Sequence, residues 1–214
     1  MPESHIEIDP AILYFGTPVV LLSTVDAEGR PNLAPMSSVF WLGQTAVLGM
    51  CLRSQPSSNL AAAGEIVINL PSVEQVSAVD RLALTTGRNP VPTAKEQVGY
   101  IYSSDKFAHA DLTAVPSRTV APPRIAECPV SLEGRLVATH PLIANDPSET
   151  GKASVFEISV TRVHVHPAVQ DEAFPNRIDP DRWRPLIMSF QKFFGLTTQI
   201  RPSRLSKIDE EWYR

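Results

Sequence analysis

The chain has 214 residues, 43% of them hydrophobic, and a formal net charge of −4. That length fits one domain with decorations and a sizeable core, and the charge supplies no basic field of the kind that nucleic acids or anionic membranes attract. The two cysteines, Cys51 and Cys128, have no pairing or metal-ligand spacing, and the N-terminus MPESHIEIDP is acidic rather than basic and apolar. No apolar run nears the roughly 20 residues of a spanning helix, so a reduced, unexported, cytoplasmic protein is expected, with neither nucleic acid nor membrane as partner.

Twenty prolines against ten glycines, spread along the chain, predict many short strands with stiff connections. Ile8 to Phe15 reads as an approach segment broken at Gly16-Thr17-Pro18. Val19, Val20, Leu21 and Leu22 are apolar on both parities, so this strand is expected to be covered on both faces, one cover coming from a helix or a partner subunit. Asp26 to Arg30 is a hairpin loop. The returning strand runs from Pro31 to Trp41, and Gly43 turns the chain into Thr45 to Leu52. Two antiparallel hairpins in succession argue for a sheet or barrel. Ser57 to Gly64 has the pattern of a short helix closed by glycine and capped by a serine hydroxyl or Asn59; Ile66 to Leu70 is another buried strand.

From Ser72 to Asp111 the spacing becomes helical, first around Val73 to Leu84 and again around Thr93 to Tyr102, which predicts an inserted helical cover. Pro116, Pro122 and Pro123 mark an extended return, and Pro129 to Ala138 and Ser154 to Val165 read as strands. In the last strand Phe156, Ile158 and Val160 share one parity while Val163 and Val165 follow the other, so a β-bulge or bend near Thr161 is expected. The aromatics Trp183, Phe190, Phe193 and Phe194 are expected to pack on the body or on a second subunit. A single domain spanning 1–214 is the expectation, with a core of about 16–170 and a C-terminal extension at 171–214.

Two polar clusters interrupt the apolar run from Val19 to Pro71: Asn32 to Ser38, and Arg53 to Asn59. The second has the parts of a phosphate cradle: a guanidinium fork, serine hydroxyls and a helix start with free N–H groups. Composition alone equally allows Ser57 and Asn59 to be helix caps and Arg53 to point into water. Asn32, Ser37 and Ser38 suit the polar edge of a ring, with Met36, Val39 or Trp41 beneath its apolar end. His164 and His166 alternate on one strand, but no third metal ligand accompanies them, so solvent-facing histidines are expected there and no metal site is assigned.

The segments STVDAEGRPNLAPMSSVF at 23 to 40, CLRSQPSSNLAAAGEIVINLP at 51 to 71, DKF at 105 to 107, PRIAECPVSLEGRLV at 123 to 137 and the strand ending VHVHPAV follow one another in the order of the flavin reductase-like branch of the FMN-binding split-barrel proteins. The chain resembles that family, whose members are often paired with flavoprotein oxygenases. The resemblance implies a mainly β fold, a six-stranded antiparallel Greek-key split barrel with inserted helices, arranged as a homodimer. It also implies FMN as cofactor and hydride transfer from NADH or NADPH to the flavin, then on to free flavin or another small-molecule acceptor. The cofactor-binding positions it implies are Asn32, Ala34, Pro35, Met36, Ser37, Ser38, Arg53, Ser54, Gln55, Ser57, Ser58 and Asn59, with Lys106 of the DKF segment near the flavin edge.

No catalytic acid or base is expected, because the flavin itself accepts the hydride. Family members often carry Gly-Asp-His before the last long strand, whereas this chain has Gly151-Lys152-Ala153; His140 and Lys152 are the substitutes at hand. That departure keeps open an alternative, a non-catalytic flavin- or haem-binding split-barrel protein for storage, sensing or scavenging.

Overall fold

The computed structural model describes residues 5–213. Along the chain it forms β1 (Phe15–Pro18), β2 (Val20–Val25), β3 (Pro31–Met36), β4 (Val39–Leu42), β5 (Thr45–Cys51), α1 (Gln55–Ala63) and β6 (Glu65–Leu70). An insertion follows with α2 (Val76–Leu82), β7 (Thr85–Thr86), α3 (Thr93–Glu96), β8 (Ile101–Tyr102) and α4 (Lys106–Ala110). Then come β9 (Ala114–Val115), β10 (Arg124–Ile125), the long strands β11 (Val130–Pro141) and β12 (Ala153–Val165), and a terminal hairpin of β13 (Leu186–Ser189) and β14 (Lys192–Gly195).

Seven strands form the main sheet in the order β3-β2-β6-β11-β12-β5-β4, every neighbouring pair antiparallel. The strands at its two edges, β3 and β4, are consecutive in the chain. The run 31–42 therefore joins one edge to the other and wraps the sheet into an interrupted barrel. Six strands are expected when Pro31 to Trp41 is counted as one. The break at Ser37 and Ser38, where the chain leaves β2 for β5, makes seven, and the Gly49 N–H bonds to the Ser38 carbonyl at 2.8 Å across it.

Two apolar layers explain the pattern of β2. Val20 and Leu22 face the barrel interior with Leu48, Ile66, Ile68, Leu132, Phe156 and Ile158. Val19 and Leu21 face outward onto Val79 and Leu82 of α2 and Phe107 and Ala110 of α4. The second cover expected for this strand is helical and comes from the same chain, so its two apolar faces give no support to a dimer.

The expected bulge is present: Glu133 pairs with Arg162 and Gly134 with Val160, which leaves Thr161 unpaired. Its hydroxyl bonds to the Glu133 carbonyl at 3.1 Å, and Val165 is thereby returned to the barrel core. Other boundaries differ. Gly16-Thr17-Pro18 does not end an approach segment but lies in β1, which pairs with β13. Helix α3 stops at Glu96 rather than reaching Tyr102, because Ile101 and Tyr102 pair in parallel with Thr85 and Thr86. Trp183 packs on the barrel core and Phe193 on the α2 and α4 layer, so part of the aromatic tail is held by the chain itself. Among the described residues no helix is long and apolar enough to cross a membrane.

Candidate functional site

Where the barrel splits, the end of β3, the end of β5 and the start of α1 form one wall of a cleft, and the insertion forms the other. A cavity of about 170 Å³ lies there, lined by Ala34, Pro35 and Met36 on one side and Thr86, Gly87 and Lys106 on the other. A second cavity of about 140 Å³ lies against it, lined by Asn32, Asn59 and Tyr102 among others. Gln55 and Gly87 line both. Gly87 is required by close approach: a Cβ there would meet the Asn32 carbonyl oxygen Oδ1 and come within 3.0 Å of Gln55 Cγ. The Asn32 amide nitrogen Nδ2 is buried and has no partner among the described residues. An orphaned buried donor costs about 1–3 kcal/mol, so it marks a place where a ligand acceptor belongs.

Helix α1 begins two residues earlier than the expected Ser57, and its cap is Ser54, whose Oγ accepts the Ser57 N–H at 3.3 Å. Ser57 Oγ lies 2.7 Å from Ser54 Oγ and donates to the Cys51 carbonyl at 2.8 Å. Gly64, with φ 69°, closes the helix by returning its N–H to Leu60. Asn59 is not at the helix start but inside it. It is buried, donates to Thr24 Oγ1 at 3.0 Å and accepts from Gln55 Nε2 at 2.7 Å. Ser57 and Asn59 therefore tie α1 to the barrel.

The guanidinium at this cradle comes from Arg88. Its Nη2 donates to the Ser54 carbonyl at 3.2 Å and to Ser58 Oγ, and its Nε is buried without a partner among the described residues. Arg53 is exposed, and its side chain bonds to no described residue.

Asp105 caps α4, its carboxylate accepting the Ala108 N–H at 3.0 Å. This turns Lys106 inward rather than into water. Lys106 is 4% exposed, and its Nζ donates to the Leu33 carbonyl at 2.9 Å and lies 3.5 Å from that of Thr85. Burial, with a smaller contribution from Lys95, lowers its pKa to about 8, so it remains a cation at neutral pH but a readily titrated one.

The structure thus brings Asn32, Ala34, Pro35, Met36, Ser54, Gln55, Asn59 and Lys106 together around the two cavities. Ser37, Ser38, Arg53, Ser57 and Ser58 line neither, although Ser58 holds Arg88. Val39 and Trp41 pack on the barrel core, not on the cleft. His140 and Lys152 lie in the β11–β12 hairpin region, 3.4 Å from Glu157 and 2.6 Å from Glu149, and line neither cavity. Sequence reasoning missed Thr85, Thr86, Gly87, Arg88, Lys95 and Tyr100. The signal was the run Thr85-Thr86-Gly87-Arg88, whose β-branched pair and glycine interrupt the helical spacing on either side.

Comparison with known proteins agrees with this architecture. The model of the flavin reductase like domain matches residues 12–197. The protein YdfE of Bacillus subtilis (strain 168) is 35% identical over 195 residues, which cover 91% of this chain and 90% of YdfE. Among solved structures, the flavoredoxin of Desulfovibrio vulgaris (Miyazaki F) superposes with a TM-score of 0.75 at 19% identity, covering 95% of this chain and all of that one (100%). Nitrilotriacetate monooxygenase component B from Bacillus cereus does so with a TM-score of 0.73 at 18% identity, covering 94% and 100%. The two solved structures share the fold of this chain, and the chain belongs to the flavin reductase like family of split-barrel flavoproteins.

Proposed function

We propose that this chain is an FMN-binding oxidoreductase of the flavin reductase type, a single-domain cytoplasmic protein that works as a homodimer. It takes hydride from NADH or NADPH and passes electrons to free flavin or a related small-molecule acceptor, with an oxygenase as the partner it serves. The observation that carries this reading is the buried, unpartnered Asn32 amide beside Gly87, in a cleft whose other wall holds the buried Lys106. When bound, the flavin supplies the hydride-accepting and electron-donating chemistry.

The chain's part is to bind and orient. Asn32 and Gln55 offer amide donors to the polar edge of the ring, and Ala34, Pro35 and Met36 give it an apolar wall. Lys106 places positive charge at the same wall in a low-dielectric setting, where it stabilises developing negative charge. Arg88, Ser54 and Ser58 with the first turn of α1 provide the cation, hydroxyls and favourable dipole that a phosphate needs.

The test is the visible spectrum of the purified protein, before and after adding FMN and then NADH or NADPH without air. A yellow flavin spectrum that bleaches on adding the nicotinamide is expected. A colourless protein that takes up no FMN overturns the reading, and a haem-like spectrum selects the non-catalytic alternative. Replacing Arg88→Gln together with Ser58→Ala is expected to weaken FMN binding about tenfold or more, as loss of a charge-assisted contact does, whereas Arg53→Ala leaves it unchanged. The reverse result would return the phosphate to Arg53.

A further inference from the structure

On the outer face of β11 and β12, under the loop that leads into β10, lies a cavity of about 400 Å³ that shares no lining residue with the flavin cleft. Arg118, Arg124, Arg162, His164, His166 and Ser131 all line it, and no aspartate or glutamate does. Three permanent positive charges meeting in one concavity stand out on a chain whose net charge is −4.

None of the three guanidiniums is paired with a carboxylate among the described residues. Arg124 Nη2 donates to the Pro116 carbonyl at 3.1 Å, while its Nε is buried without an acceptor. Arg118 uses its backbone N–H on Glu133, and the side chains of Arg118 and Arg162 bond to no described residue. Of the carboxylates next to the lining, Glu127, between Ala126 and Cys128, accepts the Thr113 N–H, and Glu133 is bonded to the N–H groups of Arg118 and Thr119, the Thr119 hydroxyl and His164 Nε2 at 2.6 Å. Glu133 therefore fixes His164 and the Arg118 segment, and it forms no ion pair with any of the three guanidiniums among the described residues. His166 is similarly fixed, its Nδ1 accepting the Ala168 N–H at 3.1 Å.

We infer that this cavity is a second ligand site, built for a phosphate-bearing small molecule with two or more negative charges. A single carboxylate would be satisfied by one arginine fork. Three forks around a volume within the range of small-molecule sites match the charge and the many acceptor oxygens of a phosphorylated compound. A concavity of this size suits a small molecule rather than a nucleic acid.

The probe is inorganic pyrophosphate, titrated calorimetrically into the full chain at low ionic strength, with the variants Arg118→Gln, Arg162→Gln and, for the flavin cleft, Arg88→Gln. Arg118 and Arg162 are exposed, so both variants are expected to fold, which thermal melts check. Saturable binding is expected, weakened about tenfold in Arg118→Gln and in Arg162→Gln by loss of a charge-assisted contact, and unchanged in Arg88→Gln. Absence of saturable binding, equal affinity in the Arg162→Gln variant, loss only in Arg88→Gln, or displacement by an equal concentration of chloride overturns the assignment. The titrations are run with and without saturating FMN, and binding at this cavity is expected to be the same in both.

Discussion

Gly87 and Glu133 show how single residues set the two sites. At Gly87 the backbone passes so close to Asn32 and Gln55 that no side chain fits. Gly87→Ala is expected to push these two amides apart, weaken FMN binding about tenfold and cost about 1–3 kcal/mol in stability, as overpacking does. FMN fluorescence titration and a thermal melt of the same variant measure both, and unchanged FMN affinity would remove Gly87 from the cofactor site. Glu133 is fully buried on β11. Burial would raise its pKa, but bonds from the Arg118 N–H, the Thr119 hydroxyl, His164 and the Thr119 N–H outweigh it and bring the value down to about 2. A carboxylate whose folded pKa is depressed stabilises the fold fully above its unfolded value, near 4.3, and loses that contribution as pH falls toward about 2. Glu133→Gln is therefore expected to lower stability by about 3 kcal/mol or more at neutral pH and to flatten the fall in melting temperature between pH 5 and pH 2. An equally steep fall in the variant would mean that other groups govern acid unfolding.

At the scale of elements, the parity fault in the last long strand was readable because a half-buried strand must keep one face to the core. Phe156, Ile158 and Val160 face inward, and Val165 rejoins them only because Thr161 is the extra residue. Deleting Thr161 would turn Val165 outward and swing the side of β12 that carries Arg162 and His164 toward the barrel interior. Loss of soluble, cooperatively folding protein is the expected outcome, read by expression level and a thermal melt; a stable variant with a sharp transition would show that the register is set elsewhere. The insertion was legible only as a helical cover. Its two-residue strands Thr85–Thr86 and Ile101–Tyr102 are too short to leave a period of two in the sequence, and they contribute to one wall of the cleft.

For the whole molecule, the dimer reading rests on different residues from those first suggesting it. The outer face of β2 is filled by α2 and α4, but on β4 Phe40 is 57% and Leu42 78% exposed, a costly arrangement for a strand open to water. Light scattering at micromolar concentration is expected to give twice the chain mass of 23.5 kDa. A mass of one chain at all concentrations would leave those side chains without a role and sink the homodimer.

The sequence by itself determined a sheet or barrel, the alternation of strands and the bulge at Thr161, because hydrophobic periodicity and turn residues are local signals, while the split barrel and the segment from Asn32 to Met36 that lines the cleft followed from the family resemblance. Only the tertiary structure decided which cation stands beside the serines at the start of α1. Arg53 lies beside the serines in the chain, yet Arg88, 30 residues beyond Ser58, is the one bonded to it. The same holds for Lys106, which lies 73 residues from its partner Leu33, and for the three arginines of the second cavity. Such groups are brought together by the packing of the insertion, helix α1 and the loops on the barrel, which leaves no mark in local sequence spacing.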